Sequence, residues 1–337
     1  MNPPWFEDSD STDDEEWMDS IQKYDHLFDF RLDHPVKIIK VQDDNLLMVK
    51  QHNSKWEVAI YQIPAKLLSK NSEEEGLLKS RELNLKYGYY TSSCVIDAEF
   101  LPSEKVALLV QDGLEILETK NDSDLLVKKH FVNLQHKPTR IKYNSSFTNI
   151  QICCANKLKI IGNDLELNFE IEIPDSPDSI LDFIQTSANE FLIATESDVF
   201  RMNSKGETLN RFKFETIMKR CSVTPTFQIS AITEHGKLFI GCIKDDFFEI
   251  KEVSDIKDCS DLKWIENQQS IMVTSNGKLH LVEFENEQTQ NIFLHSASKK
   301  VKSISAFASH PTIPSVIFCA YDSKCLQIFQ KSSKISK

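Results

Sequence analysis

Short apolar runs separated by polar turns recur along the whole chain, and this recurrence limits the fold more than any single motif does. The stretch VALLVQDGLEILETKNDSDLLVKKHF (106–131) shows the unit: an apolar run, a break at Asp112-Gly113, a second run, a polar gap and a third run. Each run alternates at period two and is rich in β-branched and aromatic residues, the pattern of strands rather than helices. The unit opens at VKIIKV (36–41), VIDAEF (95–100), TRIKYN (139–144), ILDFIQ (180–185), ISAITEH (229–235), CSDLKWI (259–265) and VKSISAF (301–307). Each opening run is followed by two or three more, such as KLKIIG and LELNFEIEI, or EFLIATE, DVFRMN and TLNRFKF. Asp112-Gly113, His235-Gly236 and Asn276-Gly277 read as turns between strands.

Seven copies at a spacing near the 40–45 residues of a four-stranded blade predict an all-β chain, a seven-bladed WD40-like β-propeller with degenerate repeats. The seventh copy supplies only three clear strands, while HLFDFRL (26–32) precedes the first copy and has strand character. Its expected place is the outer strand of the last blade, closing the ring. Residues 23–331 are assigned to the propeller, 1–22 to a disordered acidic tail and 332–337 to a flexible C-terminus. The segment EDSDSTDDEE (7–16) carries seven carboxylates and no apolar side chain, so it cannot offset its own ordering entropy. Ser11 and Thr12 each have an acidic residue three positions on, a pattern suited to acidophilic phosphorylation. Trp5, Phe6 and Trp17 flank the acidic run, which leaves both a solubilising and a docking role open.

Charge and cysteine usage narrow the function. The 337-residue chain has a net charge of −12, and only six of its 39 basic residues are Arg. Nucleic-acid binding needs concentrated Lys and Arg, so no direct nucleic-acid partner is expected; basic partner proteins fit better. No run of about 18 apolar residues exists and the N-terminus lacks a secretory h-region, so no membrane contact is expected. The eight cysteines form no CxxC pair and several lie inside apolar runs, which reads as reduced core thiols of an intracellular, cytoplasmic protein, with nuclear residence left open.

No phosphate-binding glycine loop, HExxH or GxSxG occurs, and no cofactor or metal is expected. His136 and His295 end outer strands and His310 precedes Pro311, all positions where a histidine holds a turn. Asp97, Asp182 and Asp261 lie in or beside inner strands near the central channel, where aspartates either cap turns or serve a propeller hydrolase. The KKVK run (299–302) reads as a solvated loop. Trp264 alternates with Leu262 and is expected in the core. Trp56 follows the polar stretch QHNSK and is expected at a hairpin tip or blade edge, serving blade packing or partner contact.

Three stretches resemble the methylosome WD-repeat protein family, cofactors of the type II protein arginine methyltransferase, which includes Valois of flies. CVIDAEFLPSEKVALLVQDGLEILETKNDSDLLVKKHFVNLQHKPT (94–139) is similar to that family's second blade, LLMVKQHNSKWEVAIYQI (46–63) to its first, and LHSASKKVKSISAFASHPTIPSVIFCAYDSKCLQIF (294–329) to a late one. They cover about a third of the chain. The chain contains no Trp-Asp dipeptide, so the Asp–His–Ser/Thr–Trp hydrogen-bond set of regular WD repeats is largely missing. The resemblance implies a non-catalytic adaptor. It would dock its first-blade side on the methyltransferase and help present arginine-rich substrates such as histones or Sm proteins, with Tudor-domain proteins as further partners. By the same resemblance Trp56 inserts into the enzyme, with Lys55 and Asn53 beside it on the hairpin. The alternative is another degenerate WD-repeat scaffold, a ubiquitin-ligase substrate receptor or a partner subunit of an RNA methyltransferase.

Overall fold

The computed structural model describes residues 24–68, 83–120, 123–174, 179–244, 247–265, 270–285, 288–296 and 303–331. The tail and C-terminus expected at 1–22 and 332–337, and the whole KKVK run, lie outside them.

The chain starts with β1 (Tyr24–Arg31). Blade 1 follows as β2 (Val36–Gln42), β3 (Asn45–His52), β4 (Lys55–Gln62), the one-turn α1 (Ala65–Leu68) and β5 (Asn84–Thr91). Blade 2 is β6 (Val95–Leu101), β7 (Lys105–Val110), β8 (Gly113–Thr119) and β9 (Leu126–Asn133). Blade 3 is β10 (Pro138–Asn144), β11 (Asn149–Cys154), β12 (Lys157–Ile161) and β13 (Leu167–Glu172). Blade 4 is β14 (Ile180–Ser187), β15 (Glu190–Thr195), β16 (Asp198–Asn203) and β17 (Thr208–Lys213). Blade 5 is β18 (Met218–Val223), β19 (Gln228–Thr233), β20 (Leu238–Lys244) and β21 (Phe247–Val253). Blade 6 is β22 (Cys259–Trp264), β23 (Ser270–Ser275), β24 (Lys278–Glu285) and β25 (Gln288–Ser296). Blade 7 is β26 (Ile304–Ser309), β27 (Val316–Tyr321) and β28 (Cys325–Lys331), completed by β1, which pairs antiparallel with β28. Seven four-stranded sheets thus form a seven-bladed β-propeller whose first strand closes the ring.

Radial packing leaves the second strand of each blade almost wholly buried. Its two faces are covered by the two neighbouring blades, so alternate residues enter different cores. In β3, Leu46 and Met48 pack between blades 7 and 1, while Leu47 and Val49 pack between blades 1 and 2. In β7, Val106, Leu108 and Val110 face blade 1, and Ala107 and Leu109 face blade 3. In β27, Val316, Phe318 and Ala320 face blade 1, and Ile317, Cys319 and Tyr321 face blade 6. One apolar cluster fills each of the seven gaps between blades. Trp264 lies in the gap between blades 5 and 6, and its indole N–H donates to the Ser222 carbonyl at 3.2 Å.

Two strands differ from the sequence reading. Blade 5 opens at β18, MKRCSV, and ISAIT is its second strand rather than its first. Only Met218, Cys221 and Val223 of β18 are buried, and Lys219 and Arg220 between them dilute the apolar signal. The polar connection after β4 ends in the outer strand β5, where glycine and tyrosines replace aliphatic residues. At Asp112-Gly113 the turn residues are Gln111 and Asp112, and Gly113 is the first residue of β8. Its value is space: a Cβ there would collide with the Val132 carbonyl and the Phe131 ring. Asn276 and Gly277 both have positive φ (50° and 74°), as a tight hairpin turn requires.

Candidate functional site

The inner strands share one irregularity. Each of β2, β6, β10, β14, β18, β22 and β26 has a register shift after its first residue, and the residue beyond it is Ile38, Asp97, Arg140, Asp182, Arg220, Asp261 or Ala306. A bulge re-aims the side chain that follows it. On blades 2 to 6 that side chain alternates in charge, acid on even blades and base on odd ones. Asp182 Oδ1 accepts from Arg140 at 2.6 Å and lies 2.7 Å from Lys142 Nζ, and its Oδ2 accepts from the Val223 backbone N–H at 2.9 Å. Asp182 therefore ties together blades 3, 4 and 5. Asp97 Oδ2 accepts from the Ile141 N–H at 3.1 Å, and Lys40 bridges to Asp97 and Glu99 at 3.7 and 2.8 Å. Asp261, half-exposed, pairs with Arg220 at 3.7 Å.

Burial alone would raise the pKa of Asp182, which is 1% exposed, but Lys142 and Arg140 outweigh it and hold the carboxyl below its ordinary value. Burial likewise opposes the charge on Lys40, and Asp97 and Glu99 overcome it, raising that pKa. Asp97 and Asp182 are thus held by donors from adjacent blades, an arrangement suited to fastening inner strands together. Among the described residues no group of three or more His, Cys, Asp or Glu is placed to hold a metal ion.

The histidines divide. His310 is buried; its Nδ1 accepts from the Thr312 and Ile313 N–H groups, both at 3.2 Å, and its Nε2–H donates to the Asp43 carbonyl at 2.7 Å, linking blade 7 to blade 1. His295, also buried, contacts Tyr24, Tyr321 and Gln327 and stacks on Phe329 at 4.2 Å. This polar set holds β25 against the closing blade. His136 is exposed in the turn before β10, with no side-chain hydrogen bond among the described residues.

The β3–β4 hairpin carries the residues expected to meet a partner. Its turn is Asn53-Ser54, with Asn53 at φ 51°, a left-handed conformation that asparagine tolerates. Asn53 and Lys55 are exposed. Trp56 is half-buried, packed with Tyr87 and Tyr89 against the core between blades 1 and 2. It packs against the blade as one of its two expected roles requires, and the rest of the side chain is left accessible. On the blade 2 side, Tyr89 donates to Glu115 at 3.3 Å, Lys128 pairs with Glu115 at 3.1 Å, and Lys128 Nζ lies 5.7 Å from the Phe131 ring centroid. The Gly88 N–H donates to the Asp124 carbonyl at 3.0 Å, joining the outer edges of the two blades. On the hairpin's other face, buried Lys50 pairs with Glu57 at 2.8 Å and donates to Tyr61 at 2.9 Å. His34 hydrogen-bonds His52 beside the turn and ties the hairpin tip to the loop before β2.

Leu85, Tyr90, Leu125 and Phe131, on or beside β5 and β9, make four of the nine large apolar side chains that stand exposed among the described residues. These four stand on the rim of blades 1 and 2, and the other five are spread over blades 3, 4, 5 and 7. Among the described residues no helix is long and apolar enough to cross a membrane. No protein-family model matches the chain, and no curated protein matches it at a significant level.

Proposed function

We propose that this propeller is a non-catalytic adaptor of a protein arginine methyltransferase complex, binding the methyltransferase through the rim of blades 1 and 2. The observation that carries the reading is the placement of Trp56. It is half-buried against the core between blades 1 and 2, beside exposed Asn53 and Lys55 and near the apolar side chains of β5 and β9. An aromatic held by packing on one side and open on the other is a low-entropy anchor for a partner. The resemblance of 46–63, 94–139 and 294–329 to the methylosome family supplies the partner class, and the net charge of −12 suits basic substrates such as histones or Sm proteins.

The test is a pull-down of the type II methyltransferase with the full chain and with Trp56→Ala. Loss of the anchor should weaken binding by about 2–4 kcal/mol. Thermal melting of the variant separates lost contact from lost packing. Undiminished binding by the variant would remove Trp56 from the interface, and absence of binding by the unaltered chain would remove the whole proposal.

A further inference from the structure

On the face of the propeller opposite the Trp56 hairpin, a cavity of about 290 Å³ opens between blades 1 and 2. The faces differ because antiparallel strands send the β3–β4 turn to one side and the β2–β3 and β6–β7 turns to the other. Asp43, Asp44 and Glu104, from those two turns, supply carboxylates, of which Asp44 accepts from the Gln62 amide; half-buried Tyr87 supplies a wall, and buried Phe100 and Ile60 lie at the floor. Asp43 and Glu104 are exposed and sit at positive φ, 51° and 57°. Among the described residues no Lys or Arg lines the cavity; nearby, Lys86 Nζ is held on Asn45 Oδ1 at 2.8 Å. The size suits one long side chain rather than a bulky ligand.

We infer that this cavity binds an arginine side chain of a basic partner segment. A guanidinium stacks flat on aromatic faces and offers a planar fork of donors to carboxylates, whereas a lysine ammonium is a strongly hydrated point charge. The partly exposed Tyr87 ring under a carboxylate mouth matches the first chemistry. The inference deepens the adaptor reading by giving its substrate arm a location, and it rests on that reading only for the identity of the partner. Since Trp56 and the cavity lie on opposite faces, one chain can hold two partners at once.

The experiment uses the full chain and a fluorescein-labelled peptide of alternating glycine and arginine, with lysine and citrulline counterparts, read by fluorescence anisotropy without methyltransferase. The arginine peptide should bind, and the lysine and citrulline peptides more weakly. The Asp43→Asn, Glu104→Gln double variant should weaken it about tenfold, since it removes charge-assisted contacts. Asparagine keeps the left-handed backbone at position 43. The control Glu234→Gln, Asp255→Asn removes two exposed carboxylates of blade 5 and should change binding less than about twofold. Equal weakening by the control, or equal binding of the lysine peptide, would show general acidity instead of a site. Undiminished binding by the first variant, or none by the unaltered chain, would overturn the inference. Trp56→Ala should leave this binding unchanged, so loss of the methyltransferase interaction and loss of the arginine site are read separately.

Discussion

The Tyr24 hydroxyl donates a 2.6 Å hydrogen bond to Nδ1 of His295 across 271 residues of sequence. The other ring nitrogen, Nε2, faces Gln327 Oε1 at 2.9 Å and the Tyr321 hydroxyl at 2.7 Å, so the imidazole sits neutral with its proton on Nε2. One side chain therefore joins the first strand of the chain to its last two and to the outer strand of blade 6. Gln327 extends the set to Asp29 on β1 at 3.4 Å.

This neutral histidine predicts a pH dependence. Burial lowers the His295 pKa from 6.5 to about 4, with the Gln327 contact opposing only in part. Between those values the unfolded chain binds a proton that the folded chain refuses. The contribution is complete above about pH 6.5, falls as pH drops toward 4, and amounts to about 3 kcal/mol over the window. Urea denaturation at pH 7.5 and pH 4.5 checks it, with His295→Gln as reference. His280 and His310 are shifted the same way and contribute to both proteins, so the difference between the two profiles isolates His295. Identical profiles would contradict the assignment.

Asp182→Ala leaves Arg140 and Lys142 facing each other without their shared anion. The loss should be about 3 kcal/mol, because removing one partner of a buried pair exposes the cost of the other. Asp261→Ala, whose carboxylate is half-exposed at 54%, should cost well under 1 kcal/mol. Chemical denaturation of the two variants should rank them in that order; equal losses would mean that the charge alternation has no structural weight.

Gly113→Ala tests the close approach of β8 and β9. A methyl group would press on the Val132 carbonyl and the Phe131 ring, and backbone cannot give way cheaply. A loss of about 2–3 kcal/mol is expected. Adding Phe131→Leu should recover part of that loss, since the ring is the softer obstacle. A thermal midpoint unchanged in the single variant would mean that the strands separate at this point.

The sequence displayed the blades most clearly where both faces of a strand are covered. NLLMVK, KVALLV and VIFCAY are continuous apolar runs because each alternate residue has its own core to enter. It was weakest at β18 and β5. MKRCSV buries only three of its six residues, and NLKYGYYT is an outer strand of half-exposed tyrosines. Of the candidate residues, Trp56 was visible as an aromatic after a polar turn. The bulge position was visible only as a spacing, Val95-x-Asp97, Pro138-x-Arg140, Ile180-x-Asp182, Met218-x-Arg220 and Cys259-x-Asp261, which carries no meaning until the strands are aligned.

Local pattern therefore determined most of the strands and the seven-bladed ring, because period-two alternation and turn residues act over a few positions at a time. What met across the ring was decided only by closure. Tyr24 finds His295, Asp182 finds two cations and a backbone amide from the blades on either side, and Asp43 and Glu104 share one cavity. Each pairing joins residues brought within reach by the radial packing of whole sheets, and no short-range rule encodes that distance.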